Sequence, residues 1–369
     1  MGTSISYTDL VKPSVLNQPV YEPGKPIEVV AREFGIDPET TIKLASNENP
    51  LGVSPKVLEA VKSFLNQSHF YPDGGCYLLR QKLAGLTGLT PGQFIFGNGS
   101  NEIFELVGHA FISEGDEVVM GEQAFIVYKL VTLLFDAKPM EVPLVDFTHD
   151  LGGMLAAVSE RTKVVFLPCP NNPTGTLNSN EQVLEFAEAL PEHVILVLDE
   201  AYAEYQQEPV DLRPLMADGR KIICSRTFSK IYSLAGFRIG YGYCSEECAS
   251  LMNRVREPFN VNSIAQAAAL AALNDQDWVD KSRELNEQGL KMLSDFFHAK
   301  GIPFVPSRGN FILAELGDCA RIFNEMEQEG VIVRPMGPYG LPEYMRISIG
   351  TGIQNQRLIE TLQKVLDIS

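Results

Sequence analysis

The stretch SRTFSKIYSLAGFRIG, residues 225–240, sets Lys230 between two apolar runs, KII before it and RIGYGYC after it. Both runs read as buried strands, and an amine at their junction is costly to desolvate unless it is used. Other polar residues stand in the same way at the ends of apolar runs. Asp199 closes VILVLD and Tyr202 follows it, Asn172 follows VVFLPCP, and Asn98, Gly99, Ser100 and Asn101 follow FIF. Ser229 precedes the lysine, and Arg226 and Arg238 flank it.

Taken singly, each of these has a plain reading. GNGSNE serves as an ordinary turn and helix cap as readily as an anion cradle made from helix N-terminal amides. NNPTG alone is a turn, Asp199 a cap, Tyr202 a packing residue, and Lys230 an amine that snorkels to solvent. Together they meet the separate needs of pyridoxal 5′-phosphate. An amine, Lys230, condenses with the aldehyde. A carboxylate, Asp199, keeps the pyridine nitrogen protonated so that the ring accepts electrons. The hydroxyls of Ser100 and Ser229, a helix N-terminus and Arg238 neutralise the phosphate. Burial near cations lowers a lysine's pKa and makes it both nucleophile and base. The joint pattern predicts an enzyme that uses this cofactor.

The elements that must position these residues follow a strand–helix rhythm. FIFGNGSNEIFELVGHAFI and EVVMGEQAFIVYKLVTLLF each read as strand, turn and helix. KVVFLPCPNNPTG, VILVLDEAYAEY, KIICSRTFSK and RIGYGYC add further strands, and NEQVLEFAEAL a helix. Continuous apolar strands separated by helices predict an α/β fold with a mostly parallel sheet covered on both faces. Ligands bind such sheets beyond the carboxyl ends of the strands, where the polar residues named above stand. Residues 1–45, interrupted by Pro13, Pro19, Pro23 and Pro26, read as an irregular N-terminal arm that packs with a small C-terminal domain. Residues 46–275 form the large cofactor-binding domain, and 276–369 the small α+β domain. One long helix is expected from Pro258 to about Leu293, with AQAAALAAL at its centre.

The net charge of −17 over 369 residues comes without a basic run, which argues against a nucleic-acid surface. Cys76, Cys169, Cys224, Cys244, Cys248 and Cys319 show no CxxC spacing, so neither a disulfide framework nor a metal site is expected, and the thiols suit a reducing, cytoplasmic setting. No apolar run reaches the roughly 20 residues of a membrane helix, and the start MGTSIS lacks the features of a signal peptide.

The motifs YEPGKP, LASNENPLG, FYPDGG, GNGSNE, NNPTGT, LDEAYAEY, RTFSKIYSLAGFRIGY, VIVRPM and GLPEYMRISIGT run nearly end to end. In that order they resemble a fold-type I aminotransferase, and in particular the bacterial histidinol-phosphate aminotransferase family. The resemblance implies a homodimer with histidinol phosphate and glutamate/2-oxoglutarate as substrates, in histidine biosynthesis. Relatives acting on aromatic amino acids or decarboxylating threonine phosphate share the motifs. Non-catalytic regulator modules need a DNA-binding domain that the short arm does not supply. The resemblance also implies roles at matching positions. Lys230, Asp199 and Tyr202 are catalytic, and Gly99, Ser100, Asn101, Thr227, Ser229 and Arg238 hold the cofactor. Phe125 stacks on the ring, where many relatives use tyrosine. Asn172 and Tyr202 bond its phenolic oxygen. Tyr71 reaches the partner's cofactor phosphate across the dimer. Arg346 holds the substrate's anionic end with Arg334, Asn49 and Asn172 in support, and Tyr21 closes over it.

Overall fold

The computed structural model describes residues 5–16, 18–20 and 24–368. Seven strands form its main sheet: β1 Phe94–Gly97, β2 Glu117–Gly121, β3 Lys138–Val142, β4 Thr162–Pro168, β5 Ile195–Asp199, β6 Ile222–Thr227 and β7 Gly240–Tyr243. Their spatial order is β1-β7-β6-β5-β4-β2-β3. Strands β6, β5, β4, β2 and β3 pair in parallel, and β7 alone runs antiparallel to both neighbours.

Alternate residues of a strand point to opposite faces. Val165, Leu167, Leu196 and Leu198 therefore join one apolar cluster, while Val164, Phe166, Val197 and Ile223 join another on the reverse face. Helices Pro55–Phe64, Tyr77–Thr87, Asn180–Ala189 and Ser263–Leu273 cover the first face through Val57, Leu79, Leu83, Val183, Phe186 and Ala268. Helices Ser100–Phe111, Val127–Leu134 and Glu246–Val255 cover the second through Ile103, Phe104, Tyr128, Val131 and Met252. Two covered faces explain why these strands read as unbroken apolar runs.

A second sheet is antiparallel, with β8 Phe304–Val305, β9 Phe311–Glu315, β10 Arg334–Met336 and β11 Leu341–Ser348 in the order β8-β9-β11-β10. Helices Gln276–Lys300, Cys319–Gln328 and Gly352–Val365 contribute Leu293, Phe297, Ile322, Met326, Leu358 and Leu362 to its core. Ile42–Lys43 pairs in parallel with Val331–Ile332, tying the N-terminal part of the chain to this unit.

Two expectations need correction. The expected single helix from Pro258 is two helices, Ser263–Leu273 and Gln276–Lys300. Asn274 ends the first, and the buried Asp275 between them is held by Lys56 at 2.6 Å. The arm is also less irregular than its prolines suggest. Ile27–Phe34 is a helix stopped by Gly35 at φ +68°, and its Val30 packs with Ala45 and Ile332. Lys25 bonds Glu327 at 3.0 Å, whereas Gln18 Nε2 donates to the Leu130 carbonyl on the large sheet's side at 2.9 Å.

Candidate active site

Four strands of the main sheet end at one cavity of about 280 Å³. The loop after β1 delivers Ser100 and Asn101, β4 leads to Asn172, β5 ends on Asp199 with Tyr202 beyond it, and β6 delivers Thr227, Ser229 and Lys230. The small sheet closes the opposite side with Arg334 and Arg346. Sheet termination thus gathers residues far apart in sequence.

Lys230 Nζ donates to the Ser46 carbonyl at 3.1 Å and lies 5.8 Å from the centre of the Tyr202 ring. Removal from water lowers the amine's pKa to about 8; Arg346 and Arg238 act in the same direction, against Glu48 and Asp199. Asp199 is 5% exposed, and burial pushes its carboxyl up to about 6. Bonds from the Tyr128 hydroxyl at 2.6 Å and the Ala201 N–H at 3.1 Å oppose that rise, as does Lys230, while Glu200 adds to it. Burial likewise pushes the Tyr202 phenol up to about 12. Asn47 Nδ2 donates to the Tyr202 oxygen at 3.0 Å, which leaves the phenolic proton to be donated elsewhere.

The opposite end of the cavity is built to approach an anion. Gly99 sits at φ +83°, and a Cβ there would come within 2.3 Å of Arg238 Nη2. A Cβ on Gly240 would lie 2.5 Å from the Ser100 nitrogen. The two glycines let the guanidinium and the first helical amide draw together without a side chain between them. Arg238 Nη1 also donates to Ala235 O at 3.0 Å and to Ser229 Oγ at 3.4 Å. Guanidinium, hydroxyl and helix N-terminus converge where a phosphate is favoured.

Arg346 donates to the Asn172 Oδ1 at 2.5 Å and to the Ala45 carbonyl at 2.7 Å. Its Cα is the direct cross-strand partner of Arg334. Like charges directly opposite in a ladder repel, so the pair favours an anion between them.

The structure does not bring every sequence candidate to the cavity. Asn49 is not among the lining residues, and its amide donates to the Ile231 carbonyl and Ser282 Oγ, both at 2.8 Å. Its oxygen accepts the Leu51 N–H, so the side chain ties the loop down. Asn47 and Ser46, two and three residues earlier, face the cavity instead. Tyr71 is 83% exposed and stacks on Phe259 at 4.9 Å, outside this chain's own cavity lining. Arg226 is taken up by Glu200, with Nε and Nη2 both at 3.1 Å. Tyr21 lies outside the described residues. The sequence reading missed Tyr128, Ser46, Asn47, Glu48 and Tyr339, all of which line the cavity. Among the described residues no cluster of metal-binding side chains occurs, and no helix is long and apolar enough to cross a membrane.

A desolvated lysine amine, a buried carboxylate and a helix N-terminus beside a guanidinium at the carboxyl edge of a mostly parallel sheet are the groups that a fold-type I pyridoxal-phosphate enzyme requires. The profile of the family "Aminotransferase class I and II" matches residues 39–362. The chain is 48% identical to histidinol-phosphate aminotransferase 2 of Pseudomonas fluorescens (Pf-5), over 97% of each chain. It is 45% identical to the histidinol-phosphate aminotransferase of Akkermansia muciniphila, over 95% of this chain and 97% of the other. Among solved structures, the histidinol-phosphate aminotransferase of Sinorhizobium meliloti in complex with pyridoxal-5′-phosphate superposes with TM-score 0.88 at 28% identity, over 97% of both chains. The chain belongs to the class I and II aminotransferases, and within them to the histidinol-phosphate aminotransferase family. Its cofactor is pyridoxal phosphate.

Proposed function

We propose that this chain transfers the amino group of histidinol phosphate to 2-oxoglutarate, giving imidazole acetol phosphate and glutamate in cytoplasmic histidine biosynthesis. The observation that carries this reading is the cross-strand pair of Arg334 and Arg346 facing the same cavity as Lys230. Two guanidiniums suit a phosphate dianion in one half-reaction and a carboxylate of 2-oxoglutarate in the other.

Pyridoxal phosphate supplies the electron sink that stabilises negative charge on the substrate carbon bearing the amine. The protein does the rest. Ser100 and Asn101 at the helix N-terminus, with Thr227, Ser229 and Arg238, hold the phosphate. Phe125, which lines the cavity, would stack on the ring face, and being phenylalanine it offers no phenol there. Asp199 holds the proton at the ring nitrogen. Asn172, whose Oδ1 already accepts from Arg346, has its Nδ2 left for the ring's phenolic oxygen, and Tyr202 donates to the same atom. Lys230 Nζ would take the proton from the substrate's amine-bearing carbon and pass it to the carbon that had carried the cofactor's aldehyde. Residues 46–275 act as the cofactor-binding domain, while 276–369 with the arm (1–45) bring the arginines over the substrate.

Side-by-side rates with histidinol phosphate and phenylalanine test the substrate. Histidinol phosphate is expected to give at least a tenfold higher kcat/KM, about 1.4 kcal/mol in the barrier. A preference for phenylalanine would reassign the enzyme to aromatic amino acids.

The active unit on this reading is a homodimer, with Tyr71 completing the partner subunit's phosphate site. Tyr71 lies in the exposed YPDGG segment beside the exposed Phe70, and two-fold symmetry makes each subunit give and receive the contact. Mixing Tyr71→Phe subunits with Lys230→Ala subunits pairs an intact Lys230 with an intact Tyr71 from the partner. Activity per intact lysine is expected to rise above that of the Tyr71→Phe homodimer. No rise after verified subunit exchange, or an active monomer, rules the arrangement out.

A further inference from the structure

We propose that Tyr128 is a positioning residue for the reaction: its phenol fixes the Asp199 carboxylate in place and keeps it anionic, so that the proton it faces stays on the cofactor's ring nitrogen. This rests on the reading of Asp199 given above. Tyr128 comes from helix Val127–Leu134, an element that supplies no other group to the reaction, and the bond it makes is the shortest that Asp199 receives.

The geometry leaves the phenol little freedom. Its ring is fully buried and lies parallel to Phe166 at 4.7 Å with an interplanar angle of 6°. Phe104 meets it edge-on at 5.2 Å, and Phe125 does so at 5.7 Å from the cavity side. Such aromatic contacts set a ring's position and tilt, and here they aim the hydroxyl at Asp199 Oδ2, 2.6 Å away. That length belongs to hydrogen bonds with an ionised acceptor. Burial, with Asp199 alongside, pushes the phenol's own ionisation well above its ordinary value, so Tyr128 remains a donor. With Oδ2 taken by the phenol and Oδ1 by the Ala201 N–H, the plane of the carboxylate is set from both sides.

The other ionisable groups around Asp199 come from separate elements and do different work. Glu200, next in the chain, is held by Arg226 and by the Tyr243 hydroxyl at 2.6 Å. Lys230 approaches from the loop after β6, and Tyr202 from the turn after β5. Lys230 is engaged in the chemistry and changes state during it. The Tyr128 hydroxyl is the side-chain donor bonded to Asp199, and it offers the carboxylate a constant partner throughout the cycle. It is also invisible in an ordinary reading of core residues, since phenylalanine would fill the same space.

Tyr128→Phe keeps the ring stack and removes only the hydroxyl. The direct readout is the titration of Asp199 in the apoprotein, followed by 13C NMR of carboxyl-labelled aspartate, with Asp199→Asn identifying the resonance. The midpoint is expected to rise by about one pH unit, the scale of one charge-assisted bond. Pyridoxal phosphate affinity, measured by equilibrium dialysis, is expected to fall about tenfold at pH 6 and less at pH 8. Placing 3-fluorotyrosine at position 128, a stronger donor of nearly the same shape, is expected to move the midpoint the other way. It also decides alone should the phenylalanine variant fail to fold. A titration unchanged in the folded variants makes Tyr128 a packing residue and overturns the proposal. Because the titration is read without cofactor or substrate, it tests this contact whatever becomes of the assigned reaction.

Discussion

Lys230→Ala is expected to lose turnover by about 10³-fold or more, while still folding and still binding pyridoxal phosphate non-covalently. Three features of the site support so large a loss. The amine is the lysine of the cavity, it is held toward the reacting space by the Ser46 carbonyl at 3.1 Å, and its pKa is lowered to about 8. A free lysine near 10.5 is almost wholly protonated at neutral pH, whereas one near 8 supplies an appreciable fraction of neutral amine. The sign follows directly: a lowered pKa moves the appearance of the nucleophile to lower pH. Covalent capture of pyridoxal phosphate by the apoprotein, read from absorbance and made permanent by borohydride, is therefore expected to rise with a midpoint near pH 8. The Ala variant binds without that absorbance change. Normal turnover by that variant removes Lys230 from its role, and a capture midpoint near 10 removes the lowered pKa.

Most of the site could be read from the sequence for a physical reason. A parallel sheet buried on both faces spells its strands as unbroken apolar runs, so a polar residue that ends one stands out. Asp199 after VILVL and Lys230 after KIICSRTFS are visible in that way. What escaped depends on side-chain direction or on tertiary contact. Within SNEN, Asn47 and Asn49 are equivalent as letters. Asn47 adopts φ +55° and bonds Tyr202, while Asn49 turns into the body of the protein toward Ser282. The break at Asn274–Asp275 is similar, since the helical pattern runs on through it and the partner that stabilises it, Lys56, lies far away in sequence. Tyr128 was hidden by its surroundings, because in FIVYKLV it reads as one more apolar position on a core helix. Arg334 and Arg346 carried only a resemblance until the ladder placed them opposite each other.

Asp199→Asn is expected to fold and bind the cofactor yet lose about 10²–10³-fold in rate. The side chain it replaces has both oxygens occupied by donors, the Tyr128 hydroxyl and the Ala201 N–H. An amide of the same shape presents an oxygen to only one of them and an NH2 group to the other, so with the oxygen on the Ala201 N–H the Tyr128 hydroxyl must turn from donor to acceptor. It also carries no negative charge to hold a proton on the ring nitrogen, and the electron sink fails for that reason. Stability gives an independent mark of the same carboxylate. Burial raises its pKa from 3.8 to about 6 in the folded protein. Between those values the folded state binds this proton more tightly than the unfolded chain, so this group's contribution to apoprotein stability falls as pH rises through that window. Asn does not titrate, and the difference between wild-type and Asp199→Asn denaturation midpoints is expected to change over pH 4–6 and to level off above it. The two measurements separate the roles of the residue: a pH-dependent stability difference with less than a tenfold loss in rate, about 1.4 kcal/mol of barrier, would leave Asp199 a buried structural carboxylate that is not needed to keep the ring nitrogen protonated.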